Sequence, residues 1–189
     1  MIYDGIVLAG GKARRLNGVE KPALWVGDRR LLDIALDALA GAATTIVVGS
    51  QLPSTRDVVW TREVPAGSGP VAGLAAALEL TKESHIVVLA ADLPFVTCDA
   101  VEQLVRSAEH RAGAIAIDRG GRDQPLLGCF DTDALRAALP DRSEGASMRA
   151  VITAIEWAGR LERINLGGDP PVTWDCDTAE DLQRARELA

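Results

Sequence analysis

Apolar residues fall along the chain in short unbroken runs that alternate with stretches of helical spacing. Residues 2–8 read as a buried strand, and a Gly- and Arg-rich loop follows to Pro22. Leu31, Leu32, Ala35, Leu36 and Leu39 recur at helical spacing and predict a helix ended by Gly41, a good residue just past a helix. Residues 44–48 and 58–60 predict the next two strands. Pro70, suited to a first helical position, opens an Ala- and Leu-rich helix over 70–81. Residues 86–90 form the most uniformly apolar strand of the chain.

Thr97 is placed to cap a helix reaching His110, with Asp99 and Glu102 where the helix dipole favours anions. Residues 114–117 and 126–130 predict two strands around the Gly120-Gly121 turn. Helices over 132–139 and 147–155 follow, separated by a polar loop through Ser143, Glu144 and Gly145. Residues 161–166 predict a late strand, GGDPP a turn, and Thr178 with Asp181 a capping box opening the last helix. Strands alternating with helices predict an α/β fold, three-layer and Rossmann-like, with a mostly parallel sheet and helices on both faces. There is no repeat, linker or composition break, so residues 1–189 are expected to form a single domain.

Composition narrows the function classes. Hydrophobic residues are 48% and charged residues 25%, the balance of a globular chain, while aromatics at 4% leave the core to Ala, Val, Leu and Ile. The net charge of −7 disfavours nucleic-acid binding. The longest clean apolar run, 86–91, is far short of the ~20 residues a membrane span needs. The start MIYDGIVLAGG lacks a basic leader, so cytoplasmic localisation is expected. Cys98, Cys129 and Cys176 show no metal-ligand spacing and read as reduced core thiols, and His85 and His110 read as structural. Trp25, Trp60, Trp157 and Trp174 are expected at the core edge, and Arg160 and Arg163 on a solvated face.

In parallel sheets ligands bind beyond the carboxyl ends of the strands, so residues just after strands are the candidates. The first strand runs into LAGGKARRLNGVEKP, residues 8–22. Gly10 and Gly11 let the backbone approach a ligand closely and present its N–H groups, while Lys12, Arg14, Arg15 and Lys21 supply cations for a polyphosphate. This phosphate cradle is neither a GxxxxGK[ST] loop nor GxGxxG. Asp92 ends the most apolar strand. From there a carboxylate could hold Mg2+ against phosphates bound by Gly10, Gly11 and Lys21.

These residues resemble the molybdenum cofactor guanylyltransferases of the MobA type, whose signature loop is LAGG, then Arg, then Gly, then an acid-Lys pair. The likeness continues through Gly69-Pro70-Val71-Ala72-Gly73-Leu74, Ala91-Asp92-Leu93-Pro94, Asp123-Gln124-Pro125 and Asp175-Cys176-Asp177-Thr178. The order covers nearly the whole chain; the first motif is highly specific and the others weak singly. The resemblance implies a nucleotidyltransferase fold and transfer of GMP from GTP to molybdenum-carrying molybdopterin, with Mg2+ as cofactor. Molybdoenzyme apoproteins or cofactor-assembly proteins are implied as further partners.

Residue by residue, it implies that Leu8, Ala9 and Gly10 line the nucleotide, Gly11 and Arg15 face its phosphates, and Lys21 neutralises charge during transfer. Asp92 would ligate Mg2+, Gly69 would pack near nucleotide or acceptor, and Glu63 would stand one residue away from a family Asp implicated in guanine recognition. Two positions depart from the family pattern. Gly49 replaces a common Asn, removing a polar contact that bears on base choice. Asp175 and Asp177 replace two Asn, and either is a candidate second metal ligand or acceptor contact; Asp177 also reads as the residue before a helix cap. The acceptor phosphate is already an anion, so no His base is required. Two alternatives stay open: the same fold with another nucleotide or acceptor (cytidylyl transfer to molybdopterin, a sugar phosphate or phospholactate), and a non-catalytic nucleotide-sensing or cofactor-carrying module.

Overall fold

A computed structural model describes residues 1–10 and 20–189. Gly11, Lys12, Arg14 and Arg15 of the cradle therefore lie outside the described residues. The strands are β1 (Asp4–Leu8), β2 (Trp25–Val26), β3 (Arg29–Arg30), β4 (Thr45–Val48), β5 (Val59–Thr61), β6 (His85–Ala90), β7 (Gly113–Ile117), β8 (Asp123–Asp131) and β9 (Leu161–Ile164). The helices are α1 (Leu31–Ala38), α2 (Pro70–Leu78), α3 (Cys98–Ala108), α4 (Thr132–Ala138), α5 (Met148–Ala158) and α6 (Ala179–Leu188), with one 3₁₀ turn at Lys21–Ala23.

Seven strands form one sheet in the order β5-β4-β1-β6-β8-β7-β9. β1 pairs in parallel with β4 and β6, and β4 with β5, whereas β8 runs antiparallel to both β6 and β7. Strand alternation divides the side chains between two cores. Val7, Val47, Val87 and Leu89 face α1 and α3. Ile6, Leu8, Ile46, Val48, Ile86 and Val88 face α2, α4 and α5. Both faces are covered, so the strands read as continuous apolar runs, as the sequence predicts. A third small cluster joins Val26 and Leu31 to Cys176, Leu182 and Ala185, clamping α6 onto the β2–β3 hairpin.

Two differences from the sequence reading have physical causes. The strand expected at 126–130 begins at Asp123, because a register shift opposite Ile115 and Ala116 absorbs Pro125. A proline inside a run argues against a strand, and the bulge removes the ladder bond it lacks. The hairpin β2–β3, two residues per strand, is too short to carry a period.

Two of the four tryptophans and one cysteine are corrected as well, while Trp60 packs partly buried against the core as expected. Trp157 is 87% and Trp25 52% exposed, so neither packs at the core edge; α5 turns its apolar face, Val151, Ile152 and Ile155, inward and leaves Trp157 outside. Cys98 is exposed in the first turn of α3, while Cys129 and Cys176 are buried. Arg163 is not simply solvated: it donates to both oxygens of Asp123 at 2.7 and 2.8 Å and to Glu156 at 2.6 Å. No described helix is long and apolar enough to cross a membrane.

Candidate functional site at the carboxyl edge of the sheet

The carboxyl ends of four adjacent strands finish nearly level. Leu8 lies opposite Val48 on one side and Ala90 on the other. The pairing continues one residue further, with Ala9 donating to the Val48 carbonyl at 2.8 Å, Ala91 to the Leu8 carbonyl at 3.1 Å and Gly49 to the Thr61 carbonyl at 3.0 Å. Ala9, Gly10, Gly49, Glu63 and Asp92 thus follow from one common edge.

Glycine permits a close approach at two points here. A Cβ on Gly49 would lie 3.0 Å from the Ala9 carbonyl oxygen, so the bare residue lets the Ala9 backbone pass close to the end of β4. A Cβ on Gly73 would lie 3.1 Å from Cγ1 of Val48, which is why α2 approaches β4 and β1 so closely.

At the β6 end the structure joins three residues far apart in sequence. The ammonium of Lys21 donates to Asp92 Oδ2 at 3.2 Å and to Asp177 Oδ1. Lys21 starts the 3₁₀ turn, whose backbone is held by Ala23 N to the Glu20 carbonyl and Leu24 N to the Lys21 carbonyl, both 3.0 Å. Asp177 belongs to the segment leading into α6, and Cys176 N donates to the Asp92 carbonyl at 3.0 Å, pinning that segment to the end of β6. The expected capping box is present: Thr178 accepts from Asp181 N, and the Asp181 carboxylate accepts from the Thr178 hydroxyl and from Thr178 N, the hydroxyl first in holding it below its ordinary range.

Burial pulls the Lys21 ammonium down, but the hydrogen bond to Asp177 and the charge of Asp92 outweigh it and leave the group above its ordinary value. Asp175 is pushed up, first by partial burial and then by the charges of Asp177 and Asp92. Among the described residues, one cation among three carboxylates leaves a local excess of negative charge.

At the other end, Glu63 follows β5 and its Oε1 accepts from Gly67 N at 2.8 Å, closing the loop before α2. Gly69 is the residue preceding α2, with φ +99° and Pro70 first in the helix. Gly145 N donates to the Ser68 carbonyl at 2.9 Å, so the loop between α4 and α5 braces the same turn. The structure thus brings Lys21, Asp92 and Asp177 into contact and sets Leu8, Ala9 and Gly10 beside them. Glu63 follows β5, but its Oε2 lies 3.9 Å from where a Cβ on Gly73 would stand, so its carboxylate and the start of α2 at Gly69 belong to the part of the edge above β4 and β1. A groove of about 490 Å³ along the first turn of α3, lined by Phe95, Thr97, Asp99 and Gln103, shares no residue with either cluster.

The donor set fits a divalent cation. Two carboxylates converge on one small positive centre, and Mg2+ is bound by one or two carboxylates, with water and substrate phosphates completing the shell. Among the described residues no three His, Cys, Asp or Glu side chains group closely enough to hold a metal by themselves. Sequence reasoning places Lys21 on phosphates and Asp177 on metal and misses their mutual contact, as well as the Gly67 and Gly145 braces. Contacts spanning 156 residues leave no mark on local pattern.

Residues 5–161 match the MobA-like NTP transferase domain family. A molybdenum cofactor guanylyltransferase of Mesorhizobium japonicum is 31% identical over 97% of this chain and 94% of its own length. That of Bradyrhizobium sp. is 30% identical over 98% and 92%. A third, from Shewanella woodyi, is 25% identical over 66% of each chain. Among solved structures, molybdopterin-guanine dinucleotide biosynthesis protein A from Archaeoglobus fulgidus covers 98% of this chain and 97% of its own, with TM-score 0.72 at 22% identity. The 2-C-methyl-D-erythritol 4-phosphate cytidylyltransferase of Thermus thermophilus covers 100% and 98%, with TM-score 0.77, also at 22%. The two structural likenesses show the nucleotidyltransferase fold.

Proposed function

The chain belongs to the MobA-like NTP transferase family, and from that premise we propose that it transfers GMP from GTP to the terminal phosphate of molybdenum-carrying molybdopterin. An acceptor phosphate oxygen forms a bond to the α-phosphorus of GTP, the bond from that phosphorus to the bridging oxygen breaks, and pyrophosphate leaves with the electron pair. The acceptor oxygen is already anionic, so no side chain removes a proton, and rate comes from positioning and charge neutralisation. The observation that carries this reading is the convergence of Lys21, Asp92 and Asp177 beside Ala9 and Gly10 at the end of β1.

Backbone groups of Leu8, Ala9 and Gly10 line the nucleotide, and Gly11 and Arg15 face its phosphates. Lys21 offsets charge developing on the α-phosphate and the departing pyrophosphate. Glu63 has one carboxylate oxygen committed to Gly67 N, and the other is available to accept from the N1 and exocyclic amino N–H groups of guanine. Gly69 leaves the start of α2 open to the nucleotide. Asp92 and Asp177 would hold Mg2+, which would supply charge neutralisation on the phosphates.

The test is pyrophosphate release from GTP, CTP and ATP with purified molybdopterin acceptor and Mg2+. GTP is expected to be preferred, and Lys21→Ala and Asp92→Asn to lower kcat/KM by about 10²-fold or more, the scale of losing a charge-stabilising group. Preference for CTP overturns the guanylyl assignment, and variants as fast as the parent overturn the site.

A further inference from the structure

The two carboxylates assigned above to the divalent cation are already joined to a cation supplied by the chain. Lys21 donates to Asp92 Oδ2 at 3.2 Å and to Asp177 Oδ1. A Mg2+ bound at about 2.0–2.1 Å through these same two oxygens would stand in the gap the ammonium fills, where two positive centres at contact distance repel.

The backbone of Lys21 is not the part free to move. It is fixed by the 3₁₀ turn, by the burial of Pro22 and by the carbonyls of Glu20 and Lys21. The ammonium rides on a four-carbon stem with rotatable bonds and can leave while the turn stays. The end of β1, where Ala9 and Gly10 follow Leu8, lies beside Asp92 through the Ala91 N to Leu8 carbonyl bond. Phosphates held there would offer the ammonium another anion.

We infer that Lys21 is an exchangeable internal cation that competes with the divalent ion for Asp92 and Asp177, and that nucleotide phosphates draw it off. Metal and nucleotide then bind cooperatively, and the coupling runs through one side chain. Without Lys21 the carboxylates accept the ion directly; with it, they accept the ion fully only when phosphates are present. The inference rests on the metal assignment in the proposed function.

Mn2+ is the probe, titrated into the full chain by electron paramagnetic resonance, with and without a GTP analogue carrying a methylene between the α- and β-phosphorus. For the parent, the analogue is expected to tighten Mn2+ binding. Lys21→Met keeps length without charge; it is expected to bind Mn2+ alone about tenfold tighter than the parent, a change of about 1.4 kcal/mol, and to lose most of the tightening by the analogue. Mn2+ binding to Lys21→Met no tighter than to the parent overturns the exchange, as does coupling that survives undiminished.

Asp92→Asn and Asp177→Asn separate the two claims. If they leave Mn2+ binding with the analogue unchanged, the metal assignment has failed. If they weaken it while Lys21→Met gains nothing, only the exchange has failed. Should Lys21→Met not fold, the parent itself answers: the chain has three lysines, Lys12, Lys21 and Lys82, so 13Cε-lysine NMR gives three signals, assignable through Lys12→Arg and Lys82→Arg. The Lys21 signal is expected to move little with Mg2+ alone and to shift with Mg2+ and the analogue together. A full shift with Mg2+ alone, or none with both, overturns the inference.

Discussion

Asp4 opens an otherwise apolar strand and is 1% exposed. Its Oδ2 accepts from Lys82 N at 2.7 Å and from Glu83 N at 3.0 Å, so one buried carboxylate stitches the start of β1 to the turn that launches β6. Asp4→Ala leaves two backbone donors without that acceptor. At about 1–3 kcal/mol for each unsatisfied group, the cost is about 2–6 kcal/mol. For a chain of this length about 2–4 °C is lost per kcal/mol, so the melting midpoint should fall by about 4–24 °C.

Asp4→Asn keeps a neutral acceptor and should fall between the alanine variant and the parent. The position also separates stability from function. Asp4 is four residues upstream of Leu8, roughly 13 Å along the strand at ~3.3 Å per residue, at the opposite edge from Lys21 and Asp92. Nucleotide affinity of the folded variant should therefore stay within about twofold of the parent. Thermal unfolding by circular dichroism and equilibrium binding of a fluorescent GTP analogue measure both. A midpoint drop under about 2 °C for Asp4→Ala, or an affinity loss without a stability loss, refutes the reasoning.

Three further outcomes are expected. Glu63→Ala removes the acceptor for Gly67 N and unties the loop before α2; nucleotide affinity should fall about tenfold while the midpoint moves by a few degrees at most, and unchanged affinity in the fluorescent binding assay contradicts it. Gly49→Ala places a Cβ 3.0 Å from the Ala9 carbonyl oxygen and displaces the Ala9 backbone from the end of β4; a several-fold rise in the GTP dissociation constant is the expected result, and wild-type binding speaks against close approach as the reason for glycine. Burial pushes the thiols of Cys129 and Cys176 up to about 12, so at pH 8, about four pH units below, they stay protonated. A thiol reagent should titrate one group in the folded chain, the exposed Cys98, and three after denaturation; rapid loss of all three in the folded state contradicts the burial.

How much of this was legible in the sequence depended on whether a feature is local. The buried β1 and β6, the α2 start at Pro70, the Thr97 cap and the Thr178–Asp181 capping box are written within a few residues. Their determinants are hydrophobic period, proline at a first helical turn and side chains that reach neighbouring N–H groups, so sequence fixes them without help from the rest of the chain. The candidate residues Lys21 and Asp92 were legible for the same reason: each belongs to a segment that follows a predicted strand on the edge where such sheets bind ligands, whereas Glu63 was reached only through the family resemblance.

The remainder belonged to the tertiary structure. β8 running antiparallel between β6 and β7, and the bulge that carries Pro125 inside it, depend on which strand pairs with which, and a period of two is the same in either direction. The exposure of Trp157 depends on how α5 rolls onto the sheet. The joining of Lys21 to Asp177 across 156 positions depends on Cys176 N reaching the Asp92 carbonyl. Local sequence sets which groups a residue offers; only packing sets which groups meet, because the free energy of a long-range contact resides in the burial and pairing of partners that share no neighbourhood along the chain.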